Sequence, residues 1–115
     1  MIRVKLDDAK PYEAAGHFKM VPLRLQHRDT TGVRSFWVGL SYFLPGGGAE
    51  PSVSDTDKVY VLISGKLTII GGNGEEITLE PMDTLYIAPG EKRSIINKTN
   101  TPATMLVISA YPDKK

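Results

Sequence analysis

The sequence predicts an all-β domain, a sandwich or barrel of short strands. Three observations carry this. Apolar residues recur with a period of two along much of the chain, and 11 Gly and 8 Pro fall as punctuation between those runs. No stretch carries the apolar spacing of a convincing helix.

Near the start, Ile2, Val4 and Leu6 alternate with Arg3 and Lys5. That pattern predicts an edge strand or an arm, and an edge with one apolar face seeks a partner. Val21, Leu23 and Leu25 form a second alternation, whose parity His17 and His27 share. From Ser35, the segment SFWVGLSYFL places Phe36, Val38, Leu40, Tyr42 and Leu44 on one face, expected to point inward because side chains alternate along a strand. Trp37 falls on the opposite face, in core packing, a second layer or a subunit contact.

Further strands are predicted over 58–63 and 66–70, then around 77–79. Asn73-Gly74 marks a hairpin between the last two, since both residues tolerate positive φ. Pro81 and Asp83 open a turn into a strand over 84–87. Ala88-Pro89-Gly90 turns again into 93–96, and the last strand runs from about Thr104 to Ala110. Glu75-Glu76 and Lys114-Lys115 read as solvated charges.

At 115 residues the chain is expected to form one domain, residues 1–115, that buries roughly two thirds of its unfolded surface and has room for one pocket. The formal charge of +1, with Lys and Arg scattered, lacks the electrostatic footprint of a nucleic-acid binder. The chain has no Cys, which excludes disulfides, thiolate metal sites and thiol nucleophiles. No apolar run approaches the roughly 20 residues of a membrane helix. MIRVKLDDAK lacks the apolar core of a signal peptide. A cytoplasmic protein without membrane or nucleic-acid partners is the expectation.

Two motifs carry a family resemblance. GGGAEPSVSDTDKVYVLISG, from Gly46 to Gly65, has the spacing of G-x5-H-x-H-x3-E-x6-G, with Ser52, Ser54 and Lys58 at the three ligand positions. MDTLYIAPGEKRSIIN, from Met82 to Asn97, is similar to G-x5-P-x-G-x2-H-x3-N. It keeps Gly90 and Asn97, places Arg93 at the last ligand position, and has Met82 and Ala88 for the first Gly and the Pro. The chain resembles a small single-domain cupin, which implies a jelly-roll barrel, the double-stranded β-helix. Small cupins of this kind are commonly homodimers, and Ile2, Val4 and Leu6 offer a pairing strand.

Metal-binding cupins hold their ion with neutral imidazoles and a carboxylate. The positions matched here supply two hydroxyls, an ammonium and a guanidinium. A divalent ion about 5 Å from each of two unit positive charges is repelled by roughly 7 kcal/mol per charge at an effective dielectric of about 20. No metal and no cofactor are therefore expected at the usual cupin position. A displaced site built from His17, His27, Glu50 and an Asp stays open as an alternative, with no short-range ligand spacing in its favour.

A guanidinium at the position of Arg93 points into the barrel in the resembled family, where it needs an anionic partner: Glu50, Glu91 or a bound acid. Lys58 either joins it inside or lies at the mouth paired with Glu50, Asp55 or Asp57. With both inside, the pocket suits a small organic, keto or sugar acid, because Arg pairs a carboxylate through two parallel hydrogen bonds and Lys adds a point charge. The candidate ligand-binding residues are Arg93, Lys58, Ser52, Ser54 and Tyr42. The candidate catalytic residues are His17, Lys58 and Tyr60, for a cofactor-free isomerase, epimerase or lyase acting on a carbonyl acid. For each serine alone a plain loop role is the simpler reading, and for each histidine a structural or surface one. A third class is an interaction protein whose barrel is only a dimerisation platform.

Overall fold

The computed structural model describes residues 1–112; Lys114 and Lys115, read above as solvated charges, lie outside the described residues. Among the described residues nine strands follow one 3-10 turn at Leu6–Asp8. They are β1 (Lys10–Pro11), β2 (His17–Gln26), β3 (Phe36–Val53), β4 (Lys58–Ser64), β5 (Leu67–Gly71), β6 (Glu76–Leu79), β7 (Thr84–Ile87), β8 (Lys92–Ile96) and β9 (Ala103–Ala110). Among the described residues no helix is long and apolar enough to cross a membrane.

All pairings are antiparallel, in the order β6-β5-β8-β3-β9-β4-β7, with β1 and β2 added on β3. The long strand β3 serves two layers. Its first half, Phe36–Phe43, pairs with β9, and its second half, Gly48–Val53, pairs with β8. Between them the chain bends at Pro45-Gly46, and Gly46 has φ +81°. One layer supplies Phe43, Tyr60, Leu62 and Met105 to a common core, and the other supplies Ala49, Leu67, Ile69 and Ile95. Two sheets facing across one apolar interior make the nearly closed jelly-roll barrel that the resemblance implies.

Asn97 ties the layers together at one end. It is 1% exposed; its amide donates to the carbonyls of Phe43 (3.1 Å) and Thr101 (2.9 Å), while its side-chain oxygen accepts from the N–H and hydroxyl of Thr99. A buried amide with every donor and acceptor engaged fixes the β8–β9 turn against β3. Gly65, which closes the first motif, has φ +78°, and a Cβ there would sit 2.6 Å from the carbonyl oxygen of Pro102. Only Gly satisfies both conditions.

Several expectations are corrected. On β3 the inward face is Trp37, Ser41 and Phe43, not the even-numbered set: Phe43 is 1% exposed, whereas Phe36 and Leu44 are 45% and 52% exposed. Both faces of β3 are apolar, so alternation alone does not say which one is inside. Leu40 is buried on the outer face, opposite Leu23 and Leu106. Residues 1–5 form no strand, and Ile2 and Leu6 are exposed, so the pairing strand proposed for a dimer is absent there. The β5–β6 hairpin is present but closes differently. Gly74 donates to Gly71 O, Gly71 donates to Glu75 O, and only Gly74 has positive φ, which is a type I turn with a Gly bulge.

The chain Glu80-Pro81-Met82-Asp83 forms a turn closed by Asp83 N–H to Glu80 O at 2.9 Å. Met82, at the third position, has φ +72°. A type II turn demands positive φ there and so prefers Gly; Met82 stands where the second motif has its Gly. An L side chain in that region costs about 1–2 kcal/mol, and the Met82 side chain is exposed, with little packing to offset this. Met82→Gly should stabilise the protein by about 1 kcal/mol after the entropy cost of the added Gly in the unfolded chain. Thermal or chemical denaturation checks this, and an unchanged or lowered midpoint contradicts it.

Candidate functional site

The site is built on β4, β8 and the first layer's inner face. Lys58 and Tyr60 alternate to the same face of β4, and β8 brings Arg93 opposite Ser52 of β3 and Gly71 of β5. Lys58, Tyr60 and Arg93 line a cavity of about 200 Å³ floored by Trp37, Phe43, Met105 and Val107. The indole of Trp37 folds back over Gly39, where a Cβ would come within 3.1 Å of the ring. His17, Tyr12, Ala14 and Pro22 form the mouth and are shared with an outer recess that also holds Glu13.

Arg93 is 9% exposed, yet among the described residues its hydrogen bonds go only to neutral oxygens. Its Nε donates to Tyr60 Oη at 3.3 Å, and Nη1 donates to both the carbonyl and the hydroxyl of Ser52 at 3.0 Å. Neither carboxylate expected for it is a partner. Glu91 accepts from the Ala88 N–H at 2.8 Å, and Glu50 forms no ion pair with it among the described residues. A guanidinium carries five N–H donors. No side-chain nitrogen among the described residues is both sealed from solvent and without an acceptor, so the remaining Nη2 group is accessible, and Arg93 borders this cavity as well as two outer recesses beside β5.

Lys58 takes the inward alternative. None of Glu50, Asp55 and Asp57 pairs with it, and Asp57 instead accepts from Tyr86 Oη at 2.6 Å. Burial first, and repulsion by Arg93 second, push its ammonium down to about 8. Tyr60 is pushed up, chiefly by burial and against the pull of Arg93. Because Tyr60 Oη accepts from Arg93, its own proton stays available to a ligand.

His17 reaches the mouth through a device that alternation does not reveal. A β-bulge between Phe18 and Met20, with Lys19 at φ +50°, shifts the register of β2. An extra residue flips the facing of everything beyond it. His17 thereby shares a face with Met20 and Pro22 rather than with Val21. Its Nδ1 lies 2.9 Å from Ala15 O. A carbonyl only accepts, so Nδ1 bears the proton and Nε2 carries the lone pair of a base. His27 is structural: its Nδ1 accepts from Asp29 N–H at 3.1 Å, which uses the lone pair and makes the 3.6 Å approach of Asp29 a poor ion pair. Its ring packs edge-on against Tyr111.

Three other expected site residues stand elsewhere. Tyr42 lies on the outer face of β3, opposite Val21 and Thr104, and does not line the cavity. Ser54 caps a local turn with Thr56, its oxygen 3.2 Å from the Thr56 N–H. The Ser52 hydroxyl is engaged by Arg93 and positions that guanidinium. Tyr12, Trp37 and Ser41 are lining residues that sequence reasoning did not assign to the site. The inner parity of β3 brings Trp37 and Ser41 there, and the backbone bond from Tyr12 N–H to Pro22 O at 3.1 Å brings Tyr12.

The four family ligand positions do not fit a metal ion. Two are cations, one serine is bonded to Arg93 and the other is in a turn. The displaced site also lacks a donor set, because no three His, Cys, Asp or Glu side chains come together among the described residues.

Residues 39–109 match the family model described as Cupin domain. The chain is 39% identical over 108 residues to a protein of Mycobacterium tuberculosis named beta-D-galactosidase, covering 94% of this chain and 92% of that one. The chain belongs to the cupin family. Among solved structures, the polyketide cyclase RemF of Streptomyces resistomycificus superposes with a TM-score of 0.86 at 18% identity, covering 96% of this chain and 79% of that one. A sugar phosphate isomerase of the cupin superfamily from Silicibacter pomeroyi gives 0.74 at 22% identity, covering 96% and 76%. At these identities the likeness shows the fold alone.

The lowered Lys58 value fixes a sign. In the unfolded chain the ammonium keeps its proton up to about 10.5; in the folded chain it releases it near 8. Between these values the unfolded state binds more protons, so stability from this residue rises with pH, and below the window its penalty is complete. Denaturant titrations of the protein and of Lys58→Met should therefore converge as pH rises from 8 to 10.5, with the variant more stable at neutral pH. A difference that stays flat across the window contradicts the half-buried, unpaired ammonium.

Proposed function

We propose that this cupin barrel binds a small organic acid, a keto acid or a sugar acid, through Arg93 and Lys58 and without a metal ion. One observation carries the proposal: two cationic side chains face one cavity, and no carboxylate among the described residues neutralises either. A carboxylate entering there accepts charge-assisted hydrogen bonds from the remaining Nη2 group of Arg93 and from Lys58. Trp37, Phe43 and Met105 shed water from the apolar part of the ligand. A volume of about 200 Å³ is below the usual range for drug-sized ligands, which favours a molecule of few carbons, with sugar acids extending into the outer recess.

A second reading, a cofactor-free isomerase, epimerase or lyase, rests on His17. Its Nε2 is the one imidazole lone pair at the cavity mouth, placed to take a proton from a carbonyl acid held by Arg93. The relative named beta-D-galactosidase raises glycoside hydrolysis as well. That reaction ordinarily uses two carboxylates flanking the scissile bond, whereas the cavity lining holds none and the recess only Glu13. A sugar acid is the ligand class that joins the relative's name to the charge of this cavity.

The test is a thermal-shift and calorimetric panel of pyruvate, lactate, galacturonate, galactose and a chromogenic galactoside. The acids should stabilise the protein and the neutral sugars should not. Arg93→Met should weaken acid binding about 10- to 100-fold, the loss of a charged hydrogen-bonded pair. Equal or absent shifts across the panel contradict the proposal, and galactoside turnover that survives Arg93→Met replaces it.

A further inference from the structure

We propose that Lys58 is a nucleophilic amine that forms a Schiff base with the carbonyl carbon of a 2-oxo acid whose carboxylate is held by Arg93. The inference rests on the anion-binding reading above and goes beyond it, because binding alone requires no covalent step.

The geometry begins on β4. Lys58 and Tyr60 are two residues apart on one strand, so their Cα atoms lie about 6.6 Å apart and their side chains share a face. Tyr60 Oη is bonded to Arg93 Nε at 3.3 Å, and Lys58 lines the same cavity, near enough to Arg93 for that charge to lower its proton affinity. In a 2-oxo acid the carboxylate carbon and the carbonyl carbon are bonded directly. An acid paired with the open edge of Arg93 therefore presents its carbonyl carbon within reach of the four-carbon Lys58 stem.

The surroundings favour the free amine. Arg93, Tyr60, His17 and Tyr12 are the titratable groups that line the cavity with Lys58, and none is a carboxylate. Lysines are made nucleophilic by this combination of an apolar pocket and a neighbouring cation. A value near 8 rather than 10.5 gives Lys58 a share of neutral amine at neutral pH roughly 300-fold larger than that of an ordinary lysine.

The step balances with groups on the page. The Lys58 nitrogen lone pair forms the C–N bond as the carbonyl π pair moves on to oxygen. That oxygen takes one proton from the nitrogen, then a second from Tyr60 or water, and leaves as water. The nitrogen keeps one proton in the resulting iminium, so one proton is taken up overall. The iminium withdraws electrons from the adjoining carbon, and the lone pair of His17 Nε2 lies at the mouth of the same cavity to accept a proton from it.

The experiment incubates the full chain with pyruvate and sodium borohydride, which reduces an iminium to a stable secondary amine, and maps adducts by peptide mass spectrometry. Lactate, which has no carbonyl, serves as the binding control. The expected result is an adduct at Lys58 exceeding that at any other lysine by about tenfold or more, with a rate rising as pH approaches 8. It should be competed by lactate and absent from Lys58→Arg, a variant whose fold is checked by its own stabilisation with lactate. Adducts spread evenly over the lysines, or none at Lys58 while lactate and pyruvate both stabilise the protein, overturn the imine and leave the anion site standing. No stabilisation by either acid overturns both.

Discussion

A guanidinium withdrawn from solvent and, among the described residues, bonded only to neutral oxygens dominates the electrostatics of this cavity. Taking such a charge out of water is expensive unless an opposite charge meets it. Arg93 is held in place by Tyr60 and by both oxygens of Ser52. Lys58 adds a second positive charge to the same apolar space, and its lowered proton affinity expresses the same frustration. The fold holds two like charges together, and an anion is what such an arrangement lacks.

That constraint depends on features remote from the cavity. The bend of β3 at Gly46 lets one strand border both layers, and Asn97 locks the end of β8 against it. The close approach of Gly65 to Pro102 fixes the turn that leaves β4. Family spacing is thus retained for the barrel's corners, while the positions that aim side chains inward have changed chemistry. In other proteins this architecture carries names as different as polyketide cyclase and sugar phosphate isomerase, so the fold by itself does not select a function.

The two motifs make the barrel legible in the sequence, because Gly and Asn spacing encodes turns that few other residues can form. Strands over 58–63 and 84–87 fall where alternation and turn residues put them. Arg93, Lys58 and Tyr60 follow from the motif spacing and the parity of β4. What stayed hidden has local causes. Apolar residues on both faces of β3 reversed the assignment of its interior and misplaced Tyr42. The bulge at Lys19 moved His17 off the parity of Val21, and no residue type in that segment announces it. Ser54 was drawn into the site by spacing alone, although a hydroxyl two residues before Thr56 closes a turn just as readily. Charge partners were the least legible feature, since Glu50 and Glu91 are near Arg93 in sequence or family geometry yet neither meets it.

The most direct measurement follows the Lys58 ammonium by NMR across a pH titration, with and without saturating pyruvate or galacturonate. An unpaired ammonium beside Arg93 titrates near 8 in the free protein, and a bound carboxylate, by restoring the missing negative charge, raises that value toward the ordinary lysine range. A free-protein value already in the ordinary range, or one that the acids leave unmoved, contradicts the account.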